Sequence, residues 1–128
     1  MQNQKSALGL DGNVTTLIGY LIPLVALILI FIEKDNKFVR FHSFQSVFWA
    51  GVSIVGLIAI LIVGVILGFI VGVASESLAM VVWGLTMLLY VGIFFAYFGG
   101  LIYGAIKSYG GNMTKLPVIG NIAEKYSN

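Results

Sequence analysis

The stretch Val47–Val73, VFWAGVSIVGLIAILIVGVILGFIVGV, carries no charged residue and a single serine, Ser53. As a helix it is about 40 Å long, at about 1.5 Å per residue. A hydrocarbon core of about 30 Å is crossed by about 20 apolar residues. Two further runs, Val14–Ile32 and Ala79–Ile106, are also free of charge and near or above that length. The expected fold is therefore all-α, a polytopic integral membrane protein. Three long transmembrane helices, over residues 14–32, 47–73 and 79–106, form a single membrane domain 1–128. Interfacial amphipathic segments are expected at 36–46 and 117–126.

Composition supports this solvent. The chain is 59% hydrophobic and 9% charged, too few polar residues to cover a soluble domain of this size. It has no cysteine, which excludes disulfides, thiolate metal sites and thiol nucleophiles. The cations Lys34, Lys37, Arg40, Lys107, Lys115 and Lys125 stand just outside the apolar runs, where they anchor helix ends to lipid headgroups. They form no stripe suited to nucleic acid. The segment before the first run, with Lys5 alone as its cation, lacks a cleavage pattern, so the run is expected to stay as an anchor.

Along the chain, residues 1–12 are polar and glycine-containing and are expected to be flexible. Asn13, Thr15 and Thr16 are candidate caps for the first helix. Pro23 removes one backbone hydrogen bond and should bend that helix, with a neighbour satisfying the freed carbonyl. The charge cluster Glu33–Lys37 must lie outside hydrocarbon. In Phe38–Ser46 and just beyond, Phe38, Phe41, Phe44, Phe48 and Trp49 share one broad helical side and Arg40 points away. This reads as an interfacial helix or an extension of the second span. Pro117 suits the first turn of a short surface helix over 117–126. Three crossings place the amino terminus and the 74–78 linker on one side with Lys5, and the other six cations on the opposite side. The cation bias then puts the amino terminus outside and the carboxyl tail in the cytoplasm, in the cytoplasmic membrane.

Two patterns offer contacts. Small residues recur every four positions: Gly92, Ala96, Gly100 and Gly104 in the third span, and Gly64, Gly68 and Gly72 in the second. Such positions let helix backbones approach closely where lipid gives no hydrophobic drive. In an antiparallel hairpin about the 74–78 linker, Gly68 lies near Gly84 and Gly56 near Ala96. The second pattern is the polar stripe His42, Gln45, Ser46 and Trp49, at i, i+3, i+4, i+7. It could dock on the carboxyl tail, a partner protein or headgroups. His42 is the single histidine, a weak candidate ligand, and one histidine makes no metal site. No catalytic set is present: every acidic residue falls in a polar segment, and no nucleophile–base–orienter group emerges. No cofactor and no metal are expected.

Two segments carry a family resemblance: Ile18–Ser46 and Gly104–Lys125. In them Glu33-Lys34, Lys37, Phe38-Val39-Arg40-Phe41-His42 and Gln45-Ser46 fit the pattern EK-x-x-[KR]-FVRFHA-x-QS. Lys115-Leu116-Pro117 and Ile119-Gly120 fit KLP-x-IG. Ser43 stands where the pattern has alanine. The chain thus resembles small bacterial and archaeal membrane proteins similar to the twenty-kilodalton component of the chloroplast inner-envelope protein translocon. The resemblance implies an all-helical membrane fold without implying a settled activity. The expected function is a non-enzymatic accessory or structural subunit of a larger membrane complex, with lipids and a membrane-protein partner or a second copy as its contacts. The alternatives are a translocon-like or channel component and a lipid-organising, membrane-stabilising protein.

Overall fold

The computed structural model describes residues 4–128. Its helices are α1 (Gly12–Leu21), α2 (Pro23–Ile32), α3 (Lys37–Ala74), α4 (Glu76–Tyr109) and α5 (Ile119–Ser127). The chain divides into two compact units, one reaching from the amino terminus to Gly51 and resuming over Phe98–Asn128, the other Val52–Tyr97. Among the described residues the sole extended pairing is an isolated bridge between Lys5 and Asp11.

Two helices, α3 and α4, are long and apolar enough to cross a membrane. The all-helical expectation holds, and the expectation of three long spans does not. The run 14–32 is two ten-residue helices, each about 15 Å long and half of a hydrocarbon core. The break falls at Ile22 (φ −128°, ψ 89°), because a residue before proline is driven out of the helical region.

The second unit is an antiparallel helix pair. Ser75 joins α3 to α4 and caps α4: the Leu78 amide donates to Ser75 Oγ at 3.3 Å, the usual satisfaction of a free first-turn N–H. Along the pair, Gly72 meets Ala79, Gly68 meets the Trp83 indole, Gly64 meets Thr86 and Gly56 meets Ile93. The expected register is off by one to three residues. Missing Cβ atoms let bulky side chains of α4 enter α3, so contact replaces the hydrophobic drive absent in lipid.

The first unit gathers α1, α2, the start of α3, the end of α4 and α5. Pro23 gives a sharper turn than a kink. A Cβ on Gly19 would stand 3.5 Å from Ala26 Cβ and 3.9 Å from Leu29 Cδ1, so α2 folds back beside α1. Leu29 then packs with Phe38 and Val39 in a buried cluster. Both ends of this helix pair meet. The Ala7 amide donates to Glu33 Oε2 at 2.7 Å, and Asn36 Nδ2 donates to Gln4 O at 3.1 Å. The start of α1 also joins the end of α4, through Asn13 Nδ2 to Tyr109 O at 3.2 Å. The start of α1 and the end of α4, expected on opposite sides of three spans, therefore lie together.

Local expectations are revised in the same unit. Residues 4–11 form a hydrogen-bonded loop, with Ser6 N–H to Leu10 O and Gly9 N–H to Ser6 O; residues 1–3 lie outside the described residues. Helix α1 starts ahead of the three candidate caps. Thr15 and Thr16 hydroxyls instead donate back to Asp11 O and Asn13 O. Of the segment 36–46, residues 37–46 are the continuous beginning of α3. Arg40 is turned inward, donating to Glu33 O at 2.6 Å and Ser127 O at 3.4 Å. Pro117 precedes the short helix rather than entering its first turn. Val118, at φ 62° and ψ −50°, closes a γ-turn with Ile119 N–H to Pro117 O, a strained state for a β-branched residue.

Candidate functional site

The stripe His42, Gln45, Ser46 and Trp49 faces protein, and together its members meet α1, the end of α4 and the tail 112–116. His42 Nε2 lies 2.9 Å from Asn112 O. A carbonyl only accepts, so Nε2 carries the proton and Nδ1 is an acceptor. The Tyr20 hydroxyl donates to that Nδ1 at 2.7 Å. Gln45 Nε2 in turn donates to Tyr20 Oη at 2.7 Å and to Thr114 O at 3.0 Å. Gln45 Oε1 accepts from the Leu116 amide at 2.8 Å. One chain of polar groups thus ties α1, α3 and the tail 112–116. All three side chains are buried, with Tyr20 and Gln45 fully so. Phe38 and Phe41 set their ring edges on His42 at 4.6 and 4.9 Å between centroids.

Ser46 and Trp49 serve backbone and packing. Pro23 has no N–H for the Gly19 carbonyl, and Ser46 Oγ donates to it at 2.9 Å. The Trp49 indole occupies the space a Cβ on Gly100 would need, and the Tyr20 ring does the same at Gly104. Small side chains there admit aromatic rings from α3 and α1. Ser43, two per cent exposed, leaves its hydroxyl without a hydrogen-bond partner, at the position where the motif has alanine.

The small-residue series of α4 therefore divides. Gly100 and Gly104 are closed internally. Nothing lies within 4 Å of a Cβ built on Gly92, and Ala96 is exposed. In α3, Gly64, Gly68 and Gly72 all face α4. Of the cations, Lys34 and Lys37 are exposed. Lys115 pairs with Glu124, and Lys107 and Lys125 lie over the rings of Tyr103 and Tyr126.

Sequence reasoning missed Tyr20, Asn36 and Glu33. Tyr20 signals itself as a hydroxyl inside an apolar run, which needs a partner when buried. Asn36 directly precedes Lys37 and caps α3, its Oδ1 accepting from Phe38 N–H at 3.1 Å and Val39 N–H at 3.3 Å. Glu33, only three per cent exposed, accepts from the backbone amides of Ala7, Asp35 and Asn36. No pattern in the sequence marks it as buried. Among the described residues no three His, Cys, Asp or Glu side chains are grouped to hold a metal ion.

Comparison with known proteins places the chain. The profile of the magnetosome magnetite crystal formation protein family matches residues 6–123, and the chain belongs to that family. It is 36% identical over 126 residues to a UPF0132 membrane protein of Methanocaldococcus jannaschii, covering 96% of this chain and 94% of the relative. A second protein of that name and organism is 33% identical, covering 94% and 73%. A third, from Archaeoglobus fulgidus, is 31% identical, covering 88% and 92%. No solved structure matches. The likeness to small archaeal membrane proteins stands, and these comparisons contain no link to the chloroplast translocon component.

Proposed function

We propose, from membership in this family, that the chain is a non-enzymatic membrane protein that works by packing in the bilayer, as an accessory or structural subunit. One observation carries the reading. Helix α4 is closed on one side and open on the other: Ala79, Trp83, Thr86 and Ile93 meet α3, while Gly84 and Gly92 have nothing within 4 Å of an added Cβ. At 100° per residue Gly84 and Gly92 share the opposite side, and the exposed Ala96 stands about 40° beyond Gly92 at its edge. Small residues held open on a lipid-facing helix suit a second helix better than acyl chains. The polar side chains nearest to chemistry, His42, Tyr20 and Gln45, are engaged with one another and with the chain's own backbone. The family's description concerns a mineral, and the packing reading rests instead on the membrane setting named for the archaeal relatives.

All seven cations fall in the first unit, and the second carries Glu76 as its one charge. We infer that the first unit, with both termini, faces the cytoplasm.

The test is a double substitution, Gly92→Leu with Ala96→Leu, in carboxyl-tagged protein extracted from its native membrane in mild detergent. The expected result is loss of a stoichiometric larger assembly with the helix pair still folded. An unchanged assembly mass would overturn the packing reading.

A further inference from the structure

The helix pair α1–α2 is apolar, folded back on itself and pinned at both ends, and none of this is needed for packing through α4. We propose that it is a re-entrant wedge whose ligand is the acyl layer of a single leaflet, the one adjoining the seven cations. The inference rests on the membrane reading and not on the packing partner.

The geometry of the chain carries the first part. The helices lead in and out at one level, because the Ala7 amide is bonded to Glu33 and Gln4 O to Asn36. Each is ten residues long, about 15 Å, which reaches the middle of a core of about 30 Å and no further. The turn at the tip, Leu21-Ile22-Pro23, is apolar. A hydrocarbon-embedded turn must satisfy its carbonyls, and Ser46 does so for Gly19.

The choice of lipid over protein follows from which side chains point outward. Leu21, Ile22, Leu24, Ile28 and Phe31 are each more than half exposed, and α2, PLVALILIFI, has no polar side chain. A protein-binding surface carries a polar rim, and a helix-binding surface in lipid carries small residues. The small residue of α2, Ala26, is fully buried against Gly19. The outward face is large and apolar throughout, aliphatic apart from Phe31, which is what acyl chains accept. Charges flank both ends, Lys5 and Asp11 before α1, and Lys34, Asp35 and Lys37 after α2, at the level of headgroups.

The chain has no cysteine, so single ones report cleanly. Full-length Leu10→Cys, Ile22→Cys, Asp35→Cys and Ser77→Cys variants are placed in sealed vesicles and treated with a membrane-impermeant maleimide. Positions 10 and 35 should label from the same face, and position 22 from neither until detergent is added. A fluorophore attached at position 22 should be quenched by nitroxide-bearing phospholipids. Labelling of 10 and 35 from opposite faces would make α1–α2 a span and overturn the wedge. Ready labelling at 22 would put the tip in water, and absence of lipid quenching there would put it in protein; each overturns the proposal. Ser77→Cys tests the helix pair α3–α4 separately, since its interhelix turn should label from one face of the vesicle only. Failure of that arm alone strikes the membrane reading, not the wedge geometry.

Discussion

Pro23 cannot donate to the Gly19 carbonyl four residues back, and Ser46, from another helix, donates in its place at 2.9 Å. The pair explains why a serine stands at the entrance of an apolar run. Ser46→Ala leaves a buried carbonyl unsatisfied, which costs about 1–3 kcal/mol. The expected result is that much loss of stability in reversible unfolding from detergent micelles. In the Pro23→Ala background an alanine amide can bond Gly19 itself, so the loss on Ser46→Ala should shrink. Equal losses in both backgrounds would show that the serine is not serving the proline. The bend and the need for a second donor were legible from Pro23 alone. The identity of the donor was not, because it depends on how α1 folds against α3, which no local spacing encodes. The same holds for His42: its place on a polar stripe was visible, but its partners Tyr20 and Asn112 are distant in sequence.

At the scale of the element, hydrophobic length was a good guide to α3 and α4 and a poor one to Val14–Ile32. Apolar content counts residues in hydrocarbon, and a re-entrant pair scores the same as a span. What separates them is the Pro23 turn with about ten apolar residues on either side, together with the polar ties between residues 4–7 and 33–36. The ties join the Glu33 and Asn36 side chains to backbone groups of Ala7 and Gln4, and such pairings leave little trace in composition. The glycine spacing was legible as a packing device, yet its use is uneven. Glycine 68 receives the Trp83 indole, while Gly92 faces open space. Gly68→Ala should therefore lower the stability of the helix pair by about 1–3 kcal/mol, the usual range for an overpacked contact. Gly92→Ala should change intramolecular stability little, or raise it slightly by reducing backbone freedom. Thermal or denaturant unfolding of both variants in one detergent checks this, and equal losses would mean that the two glycines share one environment.

On the scale of the whole molecule, charge and apolar surface are unevenly placed along the chain. Every cation lies in the first unit, as do α1 and α2. If those helices sit in one leaflet, they add helical cross-section to that leaflet and none to the other. The leaflet must then spread more area on one side of the same bilayer, which a membrane convex on that side accommodates with less strain. Helices that lie in one interface already bind in a curvature-sensitive way, and a one-leaflet pair adds area on the same side. Protein reconstituted into vesicles of graded size should therefore be denser, per lipid, on the small ones when the cation-bearing unit faces outward. Leu24→Asn with Phe31→Asn makes the outward face of α2 polar and should weaken that preference while leaving α3 and α4 inserted. Single-vesicle fluorescence of labelled protein and labelled lipid measures the ratio directly. A density independent of vesicle size would show that the wedge is too small, or too shallow, to bias the bilayer.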